Sequence, residues 1–314
     1  MGYHGQDVNQ ARVSVFMRSI FSVLVLACCC LARANADVSV VTTVKPLQFI
    51  ATAIVGERGQ VQALIDSNDS AHHFSLTPAD RLAINRADIL LWIDPSFEIY
   101  LADLFASQAQ RRSVITTATL ADMSLQHFAG GQLDPHLWLD PANALIIATA
   151  LSQRLQQLDP AGAADYRQAL TAFGQALAAE QTSIQQAFAG HSPDDEAGTE
   201  SSYFVYHDAY RYFERVAGIG NAGAFVTDPE QEPSMSELLR LRKAVTAAAP
   251  ICVLLEPDSS LPLVGSIVQD SPARRIEIDV LGNAIAPAPD SYQQLLGAVR
   301  AGFQACLGTD NNKP

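Results

Sequence analysis

The chain has 314 residues, of which 48% are apolar and 17% are charged, with 33 acidic against 20 basic side chains. This composition argues against disorder, and the length suits about two domains or one large α/β domain. The net charge of −13, without any cluster of Lys and Arg, argues against a nucleic-acid partner.

Residues 1–36 have the features of a secretory signal peptide. Arg12 and Arg18 precede an apolar run from residue 20 to residue 31, and Ala34-Asn35-Ala36 forms a small-x-small cleavage pattern. The run is too short for a membrane-spanning helix, which needs about 20 apolar residues. We therefore expect an exported protein that begins near residue 37. Its net charge becomes −15, because the removed segment holds three Arg and one Asp.

Only two of the five cysteines, Cys252 and Cys306, remain after this processing. A disulfide between them is the simplest interpretation for a protein in an oxidising compartment. An alternative for the N-terminal segment treats residues 25–28 as a weak lipoprotein box, in which Cys28 is acylated and anchors the protein.

Strands and helices alternate along the rest of the chain. Strands are predicted at 38–44, 61–65, 89–93, 203–206, 223–226, 251–256 and 276–280. Helices are predicted at 46–55, from 78, and at 141–158, 160–189, 209–216, 235–249, 261–268 and 291–307. This order predicts an α/β protein with two lobes, each a parallel sheet flanked by helices, bridged by one long helix.

The predicted domain boundaries follow from this pattern. The N-terminal lobe covers 37–155, and the C-terminal lobe covers 200–308. The linking helix and an acidic loop occupy 156–199 between them, and residues 309–314 form a polar tail.

Four polar residues follow predicted strands at almost even intervals. They are His72, His136, His207 and Asp279, separated by 64, 71 and 72 residues. Ligands of parallel α/β sheets bind at the carboxyl ends of the strands, so two residues from each lobe should meet in the cleft between the lobes. Three imidazoles and one carboxylate suit a tetrahedral Zn²⁺ site, whereas Mn²⁺ prefers more oxygen ligands.

The remaining candidates are weaker. His73 is expected to point away from its neighbour at position 72, since adjacent residues of an extended loop face opposite ways. His127 and His191 lie in loops and are expected in solvent. Glu256 ends a predicted strand and either supports a ligand histidine or caps a turn.

Catalysis has little support in the sequence, which lacks the nucleophile-elbow, Walker, dinucleotide-binding and His-Glu-x-x-His motifs. A catalytic zinc usually keeps an open position for water, whereas a fourth ligand at Asp279 would close the shell. We therefore expect a binding protein rather than an enzyme, with a zinc-dependent hydrolase as the alternative of another class.

Five stretches in this order resemble one protein family. They are Val41-Thr42-Thr43-Val44-Lys45-Pro46, His72 to Asp80 (HHFSLTPAD), Asp134 to Pro141 (DPHLWLDP), Tyr203 to Tyr210 (YFVYHDAY) and Glu256-Pro257. The chain resembles the metal-binding solute receptors of bacterial ABC importers, and within their zinc and manganese cluster it is similar to the zinc receptors. The resemblance covers about residues 37–308.

The resemblance implies two α/β lobes joined by a single long helix, with a metal ion between them. It assigns ligand roles to His72, His136 and His207, and a carboxylate position to Asp279 that some zinc receptors use as a ligand. Manganese receptors generally carry Glu at the third position, but a manganese or mixed receptor remains the alternative within the family. The cysteine pair also matches a disulfide of the zinc receptors.

The implied function is that of a periplasmic protein, expected to be a monomer, that binds Zn²⁺ as a transported ligand. It would deliver the ion to an inner-membrane ABC permease with its ATPase, and a metallochaperone is a further candidate partner. A surface adhesin, which some lipoprotein relatives resemble, would require the acylated N terminus. Two features depart from the family: the loop 120–135 contains one histidine, His127, and Ala71 stands where some zinc receptors have Glu.

Overall fold

Two parallel β-sheets form the framework of the protein, and each has four strands among the described residues. The computed structural model describes residues 37–65, 74–191, 202–226, 233–269 and 271–308. The strands are β1 (Val38–Thr42), β2 (Gly59–Ala63), β3 (Ile89–Trp92), β4 (Ser113–Thr116), β5 (Tyr203–His207), β6 (Ala224–Val226), β7 (Cys252–Leu255) and β8 (Arg274–Glu277). The helices are α1 (Lys45–Val55), α2 (Pro78–Arg86), α3 (Ile99–Gln108), α4 (Pro141–Leu158), α5 (Ala163–Ala187), α6 (Arg211–Ala217), α7 (Met235–Ala248), α8 (Leu261–Ile267) and α9 (Ser291–Leu307).

The sheet of the N-terminal lobe has the strand order β2-β1-β3-β4, with every neighbouring pair parallel. Its central strand β3 is buried along its whole length, as its continuous apolar sequence predicts. Helix α1 follows β1 with Pro46 in its first turn, and it ends at Gly56, whose φ of +55° suits a residue without a Cβ. Thr77 and Asp80 form a reciprocal capping box at the start of α2.

The sheet of the C-terminal lobe has the corresponding order β6-β5-β7-β8, again parallel throughout. Behind its central strand β5, Phe303 of α9 lies in the middle of an aromatic cluster. The other rings, at centroid distances of 4.8–6.3 Å, belong to Phe188, Tyr203, Tyr210 and Phe213. Ser234 caps α7 by accepting a hydrogen bond from the amide of Glu237.

One long helix, α5, connects the two lobes. Helix α5 has 25 residues and is therefore about 37 Å long. It packs against α1 and α4 on the N-terminal side and against α6 and α9 on the C-terminal side. Gly174 lies inside it without ending it, and a Cβ there would lie 3.3 Å from Leu145 of α4. The prediction of two α/β lobes bridged by one long helix is confirmed. Among the described helices, none combines the length and apolar character that a membrane span requires.

The lobes also meet directly, because the loop after β8 packs on α1. The ammonium group of Lys45 donates to the carbonyl oxygens of Asn283 and Ile285 at 2.9 and 3.0 Å. Gly282 adopts φ +68°, and a Cβ at this position would lie 2.7 Å from the ring of Phe49. This loop is therefore held against the N-terminal lobe by close packing as well as by hydrogen bonds.

A disulfide joins Cys252, at the start of β7, to Cys306, in the last turn of α9. Their Cα atoms are 5.7 Å apart, and both side chains are fully buried. The bond ties the closing helix of the chain to the centre of the C-terminal sheet.

Four elements differ most from the sequence-based prediction, and one of them, β2, occupies Gly59–Ala63 instead of 61–65. Strand β4 and helix α3 were not anticipated. Strand β8 occupies residues 274–277 instead of 276–280, because Arg274 and Arg275 pair with β7 although both are exposed. Asp279 consequently lies in the loop two residues beyond the strand.

Candidate metal site

His136 lies in a turn of the N-terminal lobe, just before α4, and its ring is oriented by Asp134. Oδ1 of Asp134 accepts the backbone N–H of His136 at 3.0 Å and lies 2.8 Å from Nδ1 of its ring. Both side chains are buried, with exposed fractions of 0% for Asp134 and 4% for His136. A carboxylate beside Nδ1 fixes the proton there, so Nε2 is the nitrogen that would bind a metal.

His207 is the last residue of β5 and is 2% exposed. Its Nδ1 lies 3.3 Å from Oε1 of Glu256, which follows the neighbouring strand β7. Burial lowers the pKa of His207, but the negative charge of Glu256, followed by those of Asp208 and Asp134, outweighs it, so the pKa is raised above 6.5. The environment of this imidazole therefore favours positive charge.

The imidazoles of His136 and His207 meet at the boundary between the lobes. Their ring centroids are 4.9 Å apart, and the ring planes are inclined by 73°. Trp138 packs edge-on against His136 with a centroid distance of 5.3 Å, and its indole N–H donates to the carbonyl of Val280 in the other lobe at 3.1 Å. Two of the four predicted ligands are thus adjacent, next to a fully buried aromatic side chain that also links the lobes.

The predicted ligand His72 and its neighbour His73 lie outside the described residues. The segment that carries them follows Ile65, whose amide donates to the carbonyl of Thr43 at 2.9 Å, beside the carboxyl end of β1. It ends before Phe74, which is buried against the ring of Tyr100. The described residues on both sides of the segment therefore belong to the N-terminal lobe.

Asp279, the fourth predicted ligand, is partly buried in the loop after β8. Its Oδ1 accepts the amide of Leu281 and its Oδ2 accepts the amide of Ala284, both at 3.2 Å. Within the described ranges, no three His, Cys, Asp or Glu side chains are grouped so that they could hold a metal. The ligand role of Asp279 stays a prediction.

The weaker site candidates from the sequence have different surroundings in the structure. Glu256 does both things that were considered for it: its carboxylate faces His207, and its carbonyl accepts the amide of Ser259 in a turn. His127 is exposed, as expected. His191 is only partly exposed, because its ring packs against Phe188, so the expectation of a solvated side chain was wrong.

The sequence-based reasoning missed the contribution of Asp134. It was visible in the motif DPH, where a carboxylate two residues before a histidine can reach both its amide and its ring. With Glu256, it places one buried carboxylate beside each imidazole. Such an arrangement suits a cation, because the carboxylates orient the imidazoles and balance positive charge at the site.

The family model described as "ZnuA: Zinc-uptake complex component A periplasmic" matches residues 40–305. The chain belongs to this family. The match includes both sheets, the linking helix, and the positions of His136, His207 and Asp279.

Several ZnuA proteins are similar to this chain over nearly their whole length. The high-affinity zinc uptake system protein ZnuA of Brucella abortus (strain 2308) is 25% identical over 337 residues, covering 94% of this chain and 98% of the relative. ZnuA of Yersinia pestis is 26% identical over 299 residues, covering 87% and 92%. These family members therefore align with this chain across both lobes.

Solved structures share the fold. A ZnuA crystal structure has a TM-score of 0.72 at 20% identity and covers 85% of this chain and 98% of the other. The periplasmic zinc-binding protein TroA of Treponema pallidum has a TM-score of 0.74 at 18% identity, with coverages of 86% and 99%. The two-lobed architecture is therefore that of the ZnuA and TroA receptors.

Proposed function

We propose that this chain is a zinc receptor that binds Zn²⁺ between its lobes and delivers the ion to an ABC permease for uptake. The observation that carries the proposal is the contact between His136 and His207, one from each lobe, with a carboxylate beside each ring. Neutral imidazoles oriented in this way are preferred zinc ligands. Their position on opposite lobes suits an ion that must be captured and later released.

His72 and Asp279 complete the proposed coordination shell. Support for His72 comes from its flanks, because Ile65 and Phe74 both belong to the N-terminal lobe and Ile65 hydrogen-bonds beside the carboxyl end of β1. Support for Asp279 comes from its neighbour Val280, whose carbonyl is bound by the indole that packs on His136. To bind the ion, the Asp279 carboxylate would exchange its hydrogen bonds to the amides of Leu281 and Ala284 for the metal.

The choice of zinc over manganese rests on donor type and on relatives. Nitrogen donors favour zinc, whereas manganese prefers carboxylate, carbonyl and water oxygens. The similar proteins of Brucella and Yersinia are named as high-affinity zinc uptake proteins. A structural neighbour, the solute-binding protein FpvC of Pseudomonas aeruginosa, was solved with Mn²⁺, so the fold also accommodates that metal.

Export and partners belong to the same proposal. Residues 1–36 act as a signal peptide, and the receptor works as a periplasmic monomer that passes zinc to an inner-membrane permease with its ATPase. The proposal also includes lobe boundaries at 37–155 and 200–308, a polar tail at 309–314, and loading by a metallochaperone. A lipid anchor at Cys28 is the alternative to cleavage after Ala36. Intact-mass measurement of the exported protein distinguishes cleavage after Ala36 from acylation.

The central test removes both described imidazoles. Calorimetry should give one tightly bound Zn²⁺ per wild-type protein, and a protein with His136→Ala and His207→Ala should lose stoichiometric binding. His191→Ala is the control, because it deletes an imidazole that follows α5 and packs on Phe188 rather than beside His136 or His207. Tight binding retained by the double variant would reject the assignment.

Metal preference and receptor function need separate measurements. In competition between equal amounts of Zn²⁺ and Mn²⁺, elemental analysis of the metal-free wild type should recover mainly zinc, and preferential manganese retention would overturn the choice. If Asp279 completes the coordination shell of the receptor, the Asp279→Ala variant should bind Zn²⁺ more weakly than the wild type. The hydrolase alternative instead predicts an open water position and unchanged affinity in that variant.

A further inference from the structure

A hairpin of the N-terminal lobe leads directly into the turn that carries His136. Its two arms pair antiparallel between Gln126 and Asp134, and the amide of Asp134 donates to the carbonyl of Gln126 at 2.9 Å. A tight turn closes the far end, where the amide of Phe128 donates to the carbonyl of Gln132 at 2.9 Å. Asp134 thus stands at the base of this 126–134 hairpin, two residues before His136.

The hydroxyl group of Tyr212 joins both arms at the base of the hairpin. It accepts the amide N–H of Gln126 at 2.9 Å and donates to the carbonyl oxygen of Asp134 at 3.0 Å. Tyr212 is fully buried, and burial raises the pKa of its hydroxyl to about 12, so the hydroxyl keeps the proton that it donates. The two hydrogen bonds use it as donor and as acceptor at once.

This hydroxyl comes from the opposite lobe, on the segment that carries the other imidazole. Tyr212 is the second residue of α6 and follows His207 by five positions. His207 is therefore connected to His136 through Tyr212 and Asp134. The backbone leads from His207 to Tyr212, and the Tyr212 hydroxyl bonds the carbonyl of Asp134 across the lobe boundary. The carboxylate of Asp134 then contacts the backbone N–H and the ring Nδ1 of His136.

Helix α6 makes a second contact one turn further on. The guanidinium group of Arg215 binds the hydroxyl of Ser124, which precedes the hairpin, and the carboxylate of Asp140, which follows it. Asp140 also caps α4, because its other oxygen accepts the amide of Ala142 at 2.8 Å. Helix α6 therefore binds the chain on both sides of His136, through Arg215.

We propose that Tyr212 is a positioning residue for the metal site, which sets the place of His136 relative to His207 by bonding the base of the 126–134 hairpin across the lobes. This inference rests on the proposed function, because its main consequence is tighter zinc binding. Removing groups that orient metal ligands typically lowers metal affinity about 10- to 100-fold.

The test compares two tyrosines that each lose a buried hydroxyl. Tyr212→Phe should weaken Zn²⁺ binding at least tenfold in competition with a chelator, and should speed release of the ion in stopped-flow mixing. Tyr166→Phe is the matched control: Tyr166 is also fully buried and donates to a carboxylate oxygen of Asp159 at 3.0 Å, away from the site. It should keep zinc affinity within twofold of the wild type at a comparable loss of stability.

Equal zinc affinities of Tyr212→Phe and the wild type, or an equal loss in Tyr166→Phe, would overturn the proposal. Should Tyr212→Phe fold poorly, Arg215→Gln removes the second contact at a partly exposed side chain, and it should weaken zinc binding in the same direction with the fold retained. Unchanged affinity in Arg215→Gln would then count against the role of α6.

A measurement without zinc separates this proposal from the proposed function. In metal-free protein, amide hydrogen exchange at Gln126 should be faster in Tyr212→Phe than in the wild type, because that N–H has lost its acceptor. Unchanged exchange would reject the cross-lobe bond. Absence of zinc binding by the wild type would instead reject the proposed function, while faster exchange in the variant would still support positioning by Tyr212.

Discussion

Glu98, in the loop after β3, should make the stability of the metal-free protein depend strongly on pH. Its side chain is fully buried, and Oε2 accepts the amides of Ile93 and Asp94 at 2.8 and 3.0 Å. Burial raises the pKa of Glu98 from 4.5 to about 7, because these hydrogen bonds only partly offset the loss of hydration. The folded protein therefore retains a proton that the unfolded chain releases at lower pH.

The sign and size of the effect follow from proton linkage. Between pH 4.5 and pH 7 the folded state binds more protons at Glu98 than the unfolded state, so the free energy of unfolding falls as the pH rises and levels off above about 7. With these two pKa values, the contribution of Glu98 becomes less favourable by about 2 to 3 kcal/mol between pH 5 and pH 8.

Urea denaturation of the wild type and Glu98→Gln in chelator, from pH 5 to pH 8, measures this contribution. The variant cannot titrate at this position, so its free energy of unfolding should rise relative to the wild type by about 2 to 3 kcal/mol across the range. Glu57→Gln, at an exposed glutamate, corrects for the loss of one charge. A difference between wild type and Glu98→Gln that stays constant within about 0.5 kcal/mol would refute the reasoning.

Three further outcomes test other parts of the structure. Replacing Cys252 and Cys306 by Ser should lower the free energy of unfolding by about 4 kcal/mol in urea, because the bond closes a loop of 54 residues; an unchanged midpoint would contradict this. Gly162→Ala should cost about 1 to 3 kcal/mol in the same assay, since a Cβ there overlaps the guanidinium group of Arg58. Zinc affinity should begin to fall above pH 6.5 when the solution is acidified, because the pKa of His207 is raised and only the neutral ring binds metal. Competition titrations from pH 8 to pH 6 check this.

The elements that sequence predicted well are those whose signals are local. Strand β3 is a short apolar run, and α4 starts with Pro141 after a capping Asp140, so both were located within a residue. Strand β4 was missed because it is a four-residue strand at the sheet edge with alternate residues buried. Strand β8 was predicted two residues too late in the chain, because its residues are selected by pairing with β7 rather than by burial. This pairing includes the exposed Arg274 in the strand.

How well the site residues could be predicted also depended on whether their contacts are close together in the sequence. The expectation that residues of the two lobes meet in the cleft agrees with the contact between His136 and His207. The strand-end rule explains only His207, which ends β5, because His136 lies 20 residues beyond β4, in a turn of the other lobe. The partner of His136 could have been read from the spacing in DPH, whereas the carboxylate beside His207 comes from a strand 49 residues away. Tyr212 could not be recognised, because its hydroxyl acts on the backbone of the opposite lobe, where side-chain identity leaves no pattern.

Charge balance explains why neutral imidazoles suit a buried divalent ion here. In the proposed site, Zn²⁺ would bring two positive charges next to the rings of His136 and His207, where the buried Asp134 and Glu256 supply two negative charges. Without the ion, the same carboxylates raise the pKa of His207 and so favour a proton on its ring. Zinc and this proton therefore compete for the same carboxylates, so binding should release protons to the solvent. The acidic surface of the exported chain is not required for this balance, because the compensating charges lie inside the site.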